Sequence, residues 1–572
     1  MTEPVYSRYL NAFCEAIAAK QGLPLGEVRA TVKPAEPEHG DFSFPAFSLA
    51  KALRKAPPLI AKELAQALQV PGLDISAVGP YVNARFRAEP FTSETIAQAR
   101  AQQLAYGRGE EGAHKTIVID YSSPNIAKPI AFHHIRTTML GHALANLYRH
   151  RGYTVEGINY LGDWGKQFGL VAVGLAEYGD PARKHETGHL VEVYVKANAR
   201  AESDPAFDEK ARAFFRRMEE GDATALGLWQ ELRNISLDDF KGIYARLGIA
   251  FEHYEGESRY QGKMEPVIEE IAKTVGTKSS DGALIVDLPY ADNEPPILLK
   301  KNDGSTLYAT RDLAAAIDRW ERFHFERALY VVATDQSLHF RQFFRVLAAM
   351  GKPWADRLVH VNFGRVHGMS TRKGQVVLFG DVLDEARARA SEKVRENISA
   401  GRIHTPDPDA LAEQIGLGAV VFGDLKNRRA TDYTFDWDEV LNFEGHTGPY
   451  LQYAHARCAS VLAKGGGGPA AFDGALLALP EEQALSRCVA KFPVSVEEAV
   501  RDNEPSYVAR HLLDTAAAFS RWYTLGNQDR AKRVLTEEND AVRGARLALT
   551  EATQWTLAAG LRLLGVPAPE RM

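Results

Sequence analysis

The stretch DYSSPNIAKPIAFHHIRTTMLG, residues 120–141, brings Lys128, His133, His134 and Arg136 into and just after a loop that follows a short β-branched run, TIVIDY. Four groups able to carry positive charge, set where a strand turns into a helix whose N-terminus already favours anions, point to phosphate. Taken alone, the two histidines are an ordinary surface pair; their place after a strand-to-helix turn argues for chemistry. Further along, Tyr308 and Asp312 in YATRD stand four apart, on one face of a helix. On spacing alone Asp312 reads as an exposed helix charge.

Competing chemistries are not written in the chain. Gly107, Gly109 and Gly112 match G-x-G-x-x-G but precede the strand at 116–121, whereas dinucleotide binding needs the glycines between strand and helix. Neither a P-loop nor H-E-x-x-H is present. The three cysteines, Cys14, Cys458 and Cys488, form no C-x-x-C pair, so a zinc cage and a disulfide framework are both disfavoured and a reducing cytoplasm is expected.

These residues need a scaffold. The run 116–121, a helical stretch through Arg149 and a second strand at 154–160 make a strand, crossover helix, strand unit, the building block of parallel sheets. Further strands at 328–333 and 358–361 flank a helix at 338–350. The fold expected is an α/β, Rossmann-like doubly wound domain over residues 106–385, with binding beyond the carboxyl ends of its strands. A charged helical stretch, about 172–260, is expected to be an insertion at the sheet's edge. Residues 1–105 read as an α+β module with helices at 9–20, 45–54 and 58–68 and a strand at 81–87; residues 386–572 read as an all-α bundle.

At 572 residues the chain suits several domains, and 45% hydrophobic with 25% charged residues is ordinary globular composition. No apolar run approaches the roughly 20 residues of a membrane span, and residues 1–20 do not read as a signal peptide. The net charge of -6 argues against unspecific coating of nucleic acid but leaves local cationic clusters free to bind it. Lys426, Arg428 and Arg429, then Tyr450, Tyr453 and Arg457 along one helix, are such a cluster, although tyrosines at helical spacing are more often core.

The stretch 120–129, GINYLGDWGKQFG at 157–169, LYATRDLAAAI at 307–317, YVVATDQSLHFRQFF at 330–344 and NFEGHTGPYLQYAHAR at 442–457 together resemble the arginyl-tRNA synthetase family of class I aminoacyl-tRNA synthetases. The resemblance implies a ligase that activates arginine with ATP, accompanied by Mg²⁺, and transfers it to the 2′-hydroxyl of the terminal adenosine of tRNA(Arg). It implies adenylate formation that needs tRNA; a cytoplasmic protein without bound zinc or membrane attachment is expected from the cysteines and apolar runs, and a monomer because nothing suggests an obligate assembly. Two departures stand out. Where the family carries His-x-Gly-His, this chain has Ala131, Phe132, His133 and His134, so only His134 keeps its place and His133 is the candidate replacement. Where it carries KMSKS, this chain has Gly368, Met369, Ser370, Thr371 and Arg372, without the leading lysine. The expected phosphate cations are therefore Lys128, Arg372 and Lys373, with His134, Met369 and Ser370 at ATP. Asp312 is the expected guanidinium acceptor, with Tyr308 and Gln336 beside it and Asp120 and Asn125 at the amino acid's polar groups. For tRNA the resemblance marks Tyr450, Tyr453 and Arg457, and Asn83 in the amino-terminal module. The eroded signatures keep a non-catalytic tRNA-binding paralogue open, and a class I synthetase for another amino acid is the other alternative.

Overall fold

A computed structural model describes residues 3–183, 185–289, 294–302, 308–368, 371–372, 375–536 and 539–572. Met369, Ser370 and Lys373 lie outside the described residues, as do the side chains of Tyr308 and Arg372.

The amino-terminal module packs helices Val5–Gln21 and Pro57–Ala67 on a four-stranded antiparallel sheet. Its first helix stops at Gly22, whose φ of 64° is the left-handed geometry that glycine adopts at no steric cost. Buried Phe13, Phe42, Phe44 and Phe86 fill the core between the layers.

The central sheet has five parallel strands in the spatial order Leu358–His360, Arg327–Tyr330, Thr116–Asp120, Thr154–Leu161, His253–Gly256. From Thr116–Asp120 the chain winds first to one side and later to the other, so the topological switch lies between this strand and Arg327–Tyr330. Ligands of open parallel sheets bind at such a switch, beyond the carboxyl ends. Asp120, the last residue of its strand, is level with Ile158 and Tyr330 on its two neighbours.

Three features differ from expectation. The stretch 172–260 does contain helices Thr187–Ser203, Pro205–Glu219 and Ala223–Arg246, but its end, His253–Gly256, is a strand of the sheet itself. That strand is four residues long and half-buried at the edge, too short and too polar to leave a hydropathy signal. A small antiparallel sheet, Thr277–Ser280, Ala283–Val286 and Leu298–Lys300, was not anticipated. The helix Phe379–Ser399 also runs continuously through the expected boundary at 385/386.

The remaining helices include Pro408–Leu425, Gly448–Gly465, Pro480–Asp502, Ser506–Gln528 and Asp540–Leu563, which share one apolar core with one side of the central sheet. No helix among the described residues is long and apolar enough to cross a membrane.

Candidate active site

The loop after Asp120 holds Ser122, Ser123 and Ala127 at φ of 71°, 51° and 61°. Non-glycine residues there cost of order 1–3 kcal/mol each and persist only when surrounding contacts over-determine them. Those contacts come from far along the chain. Ser122 N–H donates to Thr137 Oγ1 at 3.1 Å, Ser123 N–H to Asn159 Oδ1 at 3.2 Å and Ala127 N–H to Ser236 Oγ at 3.0 Å, while Ser122 Oγ meets the Tyr244 hydroxyl at 2.7 Å. Ser236 and Tyr244 lie on the helix Ala223–Arg246, so the inserted region grips the loop instead of decorating the edge. Ser236→Ala leaves a buried N–H without its partner, at a cost of about 1–3 kcal/mol. We expect a lower melting temperature and a several-fold higher KM for ATP, read by calorimetry and exchange kinetics; a fall in melting temperature alone would confine Ser236 to folding.

The four expected cations separate. Lys128 is half-buried with its Nζ 4.9 Å from the centre of the Tyr194 ring, and it has no carboxylate partner among the described residues. His133 and His134 begin the helix His134–His150 with ring centres 4.0 Å apart. Burial, then repulsion from His133, draws His134 down to about 4, and burial also lowers His133. Both are neutral at pH 7 and would meet a phosphate as hydrogen-bonding imidazoles. Arg136 corrects the sequence reading: it is 1% exposed and turned into the protein, beside Asp424.

The first signature meets the chain that follows the second. Phe132 N–H donates to Val377 O at 2.9 Å and Phe379 N–H to Ile130 O at 2.8 Å, with a bridge between Ala131 and Leu378. The chain leaving the second signature is thus paired with the chain entering the first.

Within electrostatic reach of Asp120, which starts the loop carrying Lys128, lies a second carboxylate. Asp312, on the helix Tyr308–Phe323, is half-buried; its Oδ2 meets His339 Nε2 at 2.7 Å, and Oδ1 has no hydrogen-bond partner among the described residues. Glu257 was not singled out by sequence, because no spacing links it to Asp312. Burial pushes it up to about 7, opposed by Arg311 and reinforced by Asp312 and Asp163. Its Oε2 is 3.4 Å from Arg311 Nη1. Burial likewise raises Asp120, against Arg319 and Ser123, which hold its carboxylate at 2.7 and 2.9 Å. Arg319 is in turn set between the rings of Tyr160 and Tyr330, at 5.2 and 5.4 Å. Gln336 and Asn125 are exposed. A side chain at Gly162 would strike Asn125 Oδ1 at 2.0 Å, which explains a glycine in GINYLG.

In the helical region, Arg457 Nη2 donates to the Tyr453 hydroxyl at 2.5 Å and its Cζ lies 4.4 and 4.8 Å from the Tyr453 and Tyr523 ring centres. Tyr453 and Arg457 line a cavity of about 820 Å³ with Arg389, Lys393, Arg402 and Trp437. Tyr450 stands apart from it, its hydroxyl 3.3 Å from Ser520 Oγ. Lys426 and Arg429 are engaged internally, with Glu439 at 2.5 Å and Asn362 O at 2.5 Å, so they depart from the expected free cluster. Asn83 is 2% exposed but borders a cavity of about 500 Å³ with Lys33, His39 and Tyr81.

Comparison with known proteins gives three family matches in order: the Arginyl tRNA synthetase N terminal domain at residues 7–86, the tRNA synthetases class I (R) catalytic domain at 95–437, and the DALR anticodon binding domain at 451–572. Similar curated proteins include arginine--tRNA ligase 1 of Bacillus thuringiensis, 42% identical over 98% of each chain. Arginine--tRNA ligase of Clostridioides difficile is 42% identical over 96% of this chain and 97% of its own. Among solved structures, Thermus thermophilus arginyl-tRNA synthetase superposes with a TM-score of 0.83 at 27% identity, covering 99% of this chain and 100% of the other.

Proposed function

The chain belongs to the arginyl-tRNA synthetase family, and from that premise we propose how its residues join arginine to tRNA(Arg). The activity is that of an aminoacyl-tRNA synthetase, consuming ATP. The arginine carboxylate attacks the α-phosphorus of ATP, releasing pyrophosphate, and the 2′-hydroxyl of the terminal adenosine then takes the arginyl group. Neither step requires a covalent enzyme intermediate; positioning and charge stabilisation suffice.

The observation that supports this reading is an acidic group, Asp120, Asp312 and Glu257, whose charges act on one another at the carboxyl end of the strand Thr116–Asp120, where the loop carrying Lys128 begins. Lys128 and the first signature serve the triphosphate, and Asp312 and Glu257 the guanidinium. In this reading Lys128, Arg372 and Lys373 follow the charge on the phosphates, and Mg²⁺ travels with ATP. His134, Met369 and Ser370 contact the nucleotide, and His133 stands in for the missing first imidazole. Tyr308 and Gln336 flank the arginine side chain. Asn125 and Asp120 serve its amino end, Asp120 with the acceptor capacity left by Arg319 and Ser123. Tyr453 and Arg457 offer a base platform and a cation to the anticodon, with Tyr450 behind them, and Asn83 contributes to the amino-terminal tRNA contact. We place the change from catalytic to anticodon-binding domain between residues 437 and 451, past the unbroken helix Phe379–Ser399, and take the enzyme to be a cytoplasmic monomer. The direct test is charging of tRNA(Arg) with radiolabelled arginine and ATP: label on tRNA is expected, none would favour a non-catalytic paralogue, and label from a different amino acid would reassign the specificity.

Glu257 gives this site a pH dependence. Burial holds its value at about 7, above the ordinary carboxyl value of 4.5, so the free enzyme carries it protonated below neutrality. A bound guanidinium favours the ionised form, and arginine binding releases a proton. The KM for arginine should therefore fall as pH rises from about 6 to about 8 and then level off, and Glu257→Gln should flatten the profile. A profile in Glu257→Gln identical to the parent's would remove Glu257 from the site.

A further inference from the structure

Arg136 is the third residue of the helix that His134 opens, yet its side chain leaves the site. Its Nη1 donates to Gly364 O at 2.8 Å and to Thr431 O at 2.9 Å, and its Nη2 to Arg428 O at 3.2 Å. Its Nε lies 3.2 Å from Asp424 Oδ1, close enough for charge attraction though not aligned as a hydrogen bond, and its Cζ is 5.1 Å from the Tyr433 ring centre. Both Arg136 and Asp424 are 1% exposed.

What this guanidinium holds is the lead-in to the second signature. Gly364 begins the segment that continues as the strand Val366–His367 and reaches Gly368, the first signature residue. That strand runs parallel to Tyr433–Thr434. Gly364 N–H donates to Arg429 O at 2.8 Å, Tyr433 N–H to Arg365 O at 3.1 Å and Phe435 N–H to His367 O at 2.9 Å. Gly368 sits at φ 95°, where an added Cβ would come within 2.9 Å of Phe435 O. Asp424 is the penultimate residue of the helix Pro408–Leu425, which packs on the helix Gly448–Gly465 that carries Tyr453 and Arg457.

We propose that Arg136 is a positioning residue for adenylate formation. It fixes the strand entering the second signature against the helix bearing the first, and ties both to the end of the helix from which the anticodon-binding region continues. The fork matters: one planar group reaches three backbone carbonyls and a carboxylate on separate segments, which a lysine ammonium on a flexible stem does not reproduce. A buried ion pair alone would be weak support for a role beyond stability, since apolar replacements often match it. Directed bonds from one helix residue to carbonyls on two paired segments, Gly364 on one and Arg428 and Thr431 on the other, are the stronger observation.

The inference rests on the ATP site proposed above, and the test separates the two. Pyrophosphate exchange is measured on the full-length chain with tRNA(Arg) present, varying ATP and arginine separately. For Arg136→Lys the KM for ATP should rise about tenfold while that for arginine stays within about twofold. A role confined to folding would lower the active fraction, and so kcat, with both KM values unchanged; that result, or equal rises in both, overturns the proposal. Should Arg136→Lys yield no folded protein, Asp424→Asn carries the same test with an expected ATP-selective rise of about threefold. Absence of arginine-dependent exchange in the parent chain would instead overturn the reading of the site itself.

Discussion

Asp312→Asn is expected to lower kcat/KM for arginine about 10³-fold, roughly 4 kcal/mol, while the KM for ATP changes by no more than about twofold. Asp312 is the half-buried carboxylate with one oxygen oriented by His339 and the other without a hydrogen-bond partner among the described residues. Asparagine keeps the shape but removes the charge and presents an amide N–H₂ to a ligand that only donates. The guanidinium is then desolvated against a second donor, which costs more than the lost attraction. Exchange kinetics with arginine varied at saturating ATP measure it. A loss spread equally over both substrates would mean that Asp312 supports the surrounding fold and does not grip the side chain.

Lys128→Ala should reduce kcat for adenylation about 10²- to 10³-fold, the scale on which single charge-stabilising groups act, with the arginine KM little changed. Of the four groups that the sequence placed at the first signature, Lys128 is the one that would meet phosphate with a positive charge. Arg136 is committed to backbone carbonyls, and the two imidazoles are held neutral by burial. Lys128→Arg should recover part of the rate, because charge returns with a different reach. Stopped-flow measurement of adenylate formation with tRNA(Arg) bound separates this from product release. An unaltered rate in Lys128→Ala would transfer the phosphate role to Arg372 and Lys373.

The parallel sheet was legible because its strands at 116–121, 154–160 and 328–333 are short apolar runs between helical stretches, a pattern that burial on both faces imposes. His253–Gly256 was not, since an edge strand with one protected side needs no apolar run. The YATRD spacing put Asp312 on one helix face with Tyr308 but by itself read as an exposed charge; its assignment to the guanidinium came from the family resemblance. Glu257 approaches Asp312 only through the sheet's geometry, and nothing between residues 257 and 312 in the chain encodes that. The misreading of Arg136 has a similar origin: helical position says that residue 136 is one turn from His133, but its partner Asp424 is nearly three hundred residues away. The insertion at 172–260 looked peripheral by its charge, whereas two of its polar side chains, Ser236 and Tyr244, hold the strained loop. Hydroxyl contacts of that kind have no sequence period to reveal them.

The most direct test is a crystal structure with arginine and a non-hydrolysable ATP analogue bound together. The account predicts the guanidinium within hydrogen-bond distance of Asp312, with Glu257 close by, and the triphosphate against Lys128 and the His134 end of its helix. A guanidinium bound elsewhere, with Asp312 still turned only to His339, would contradict it.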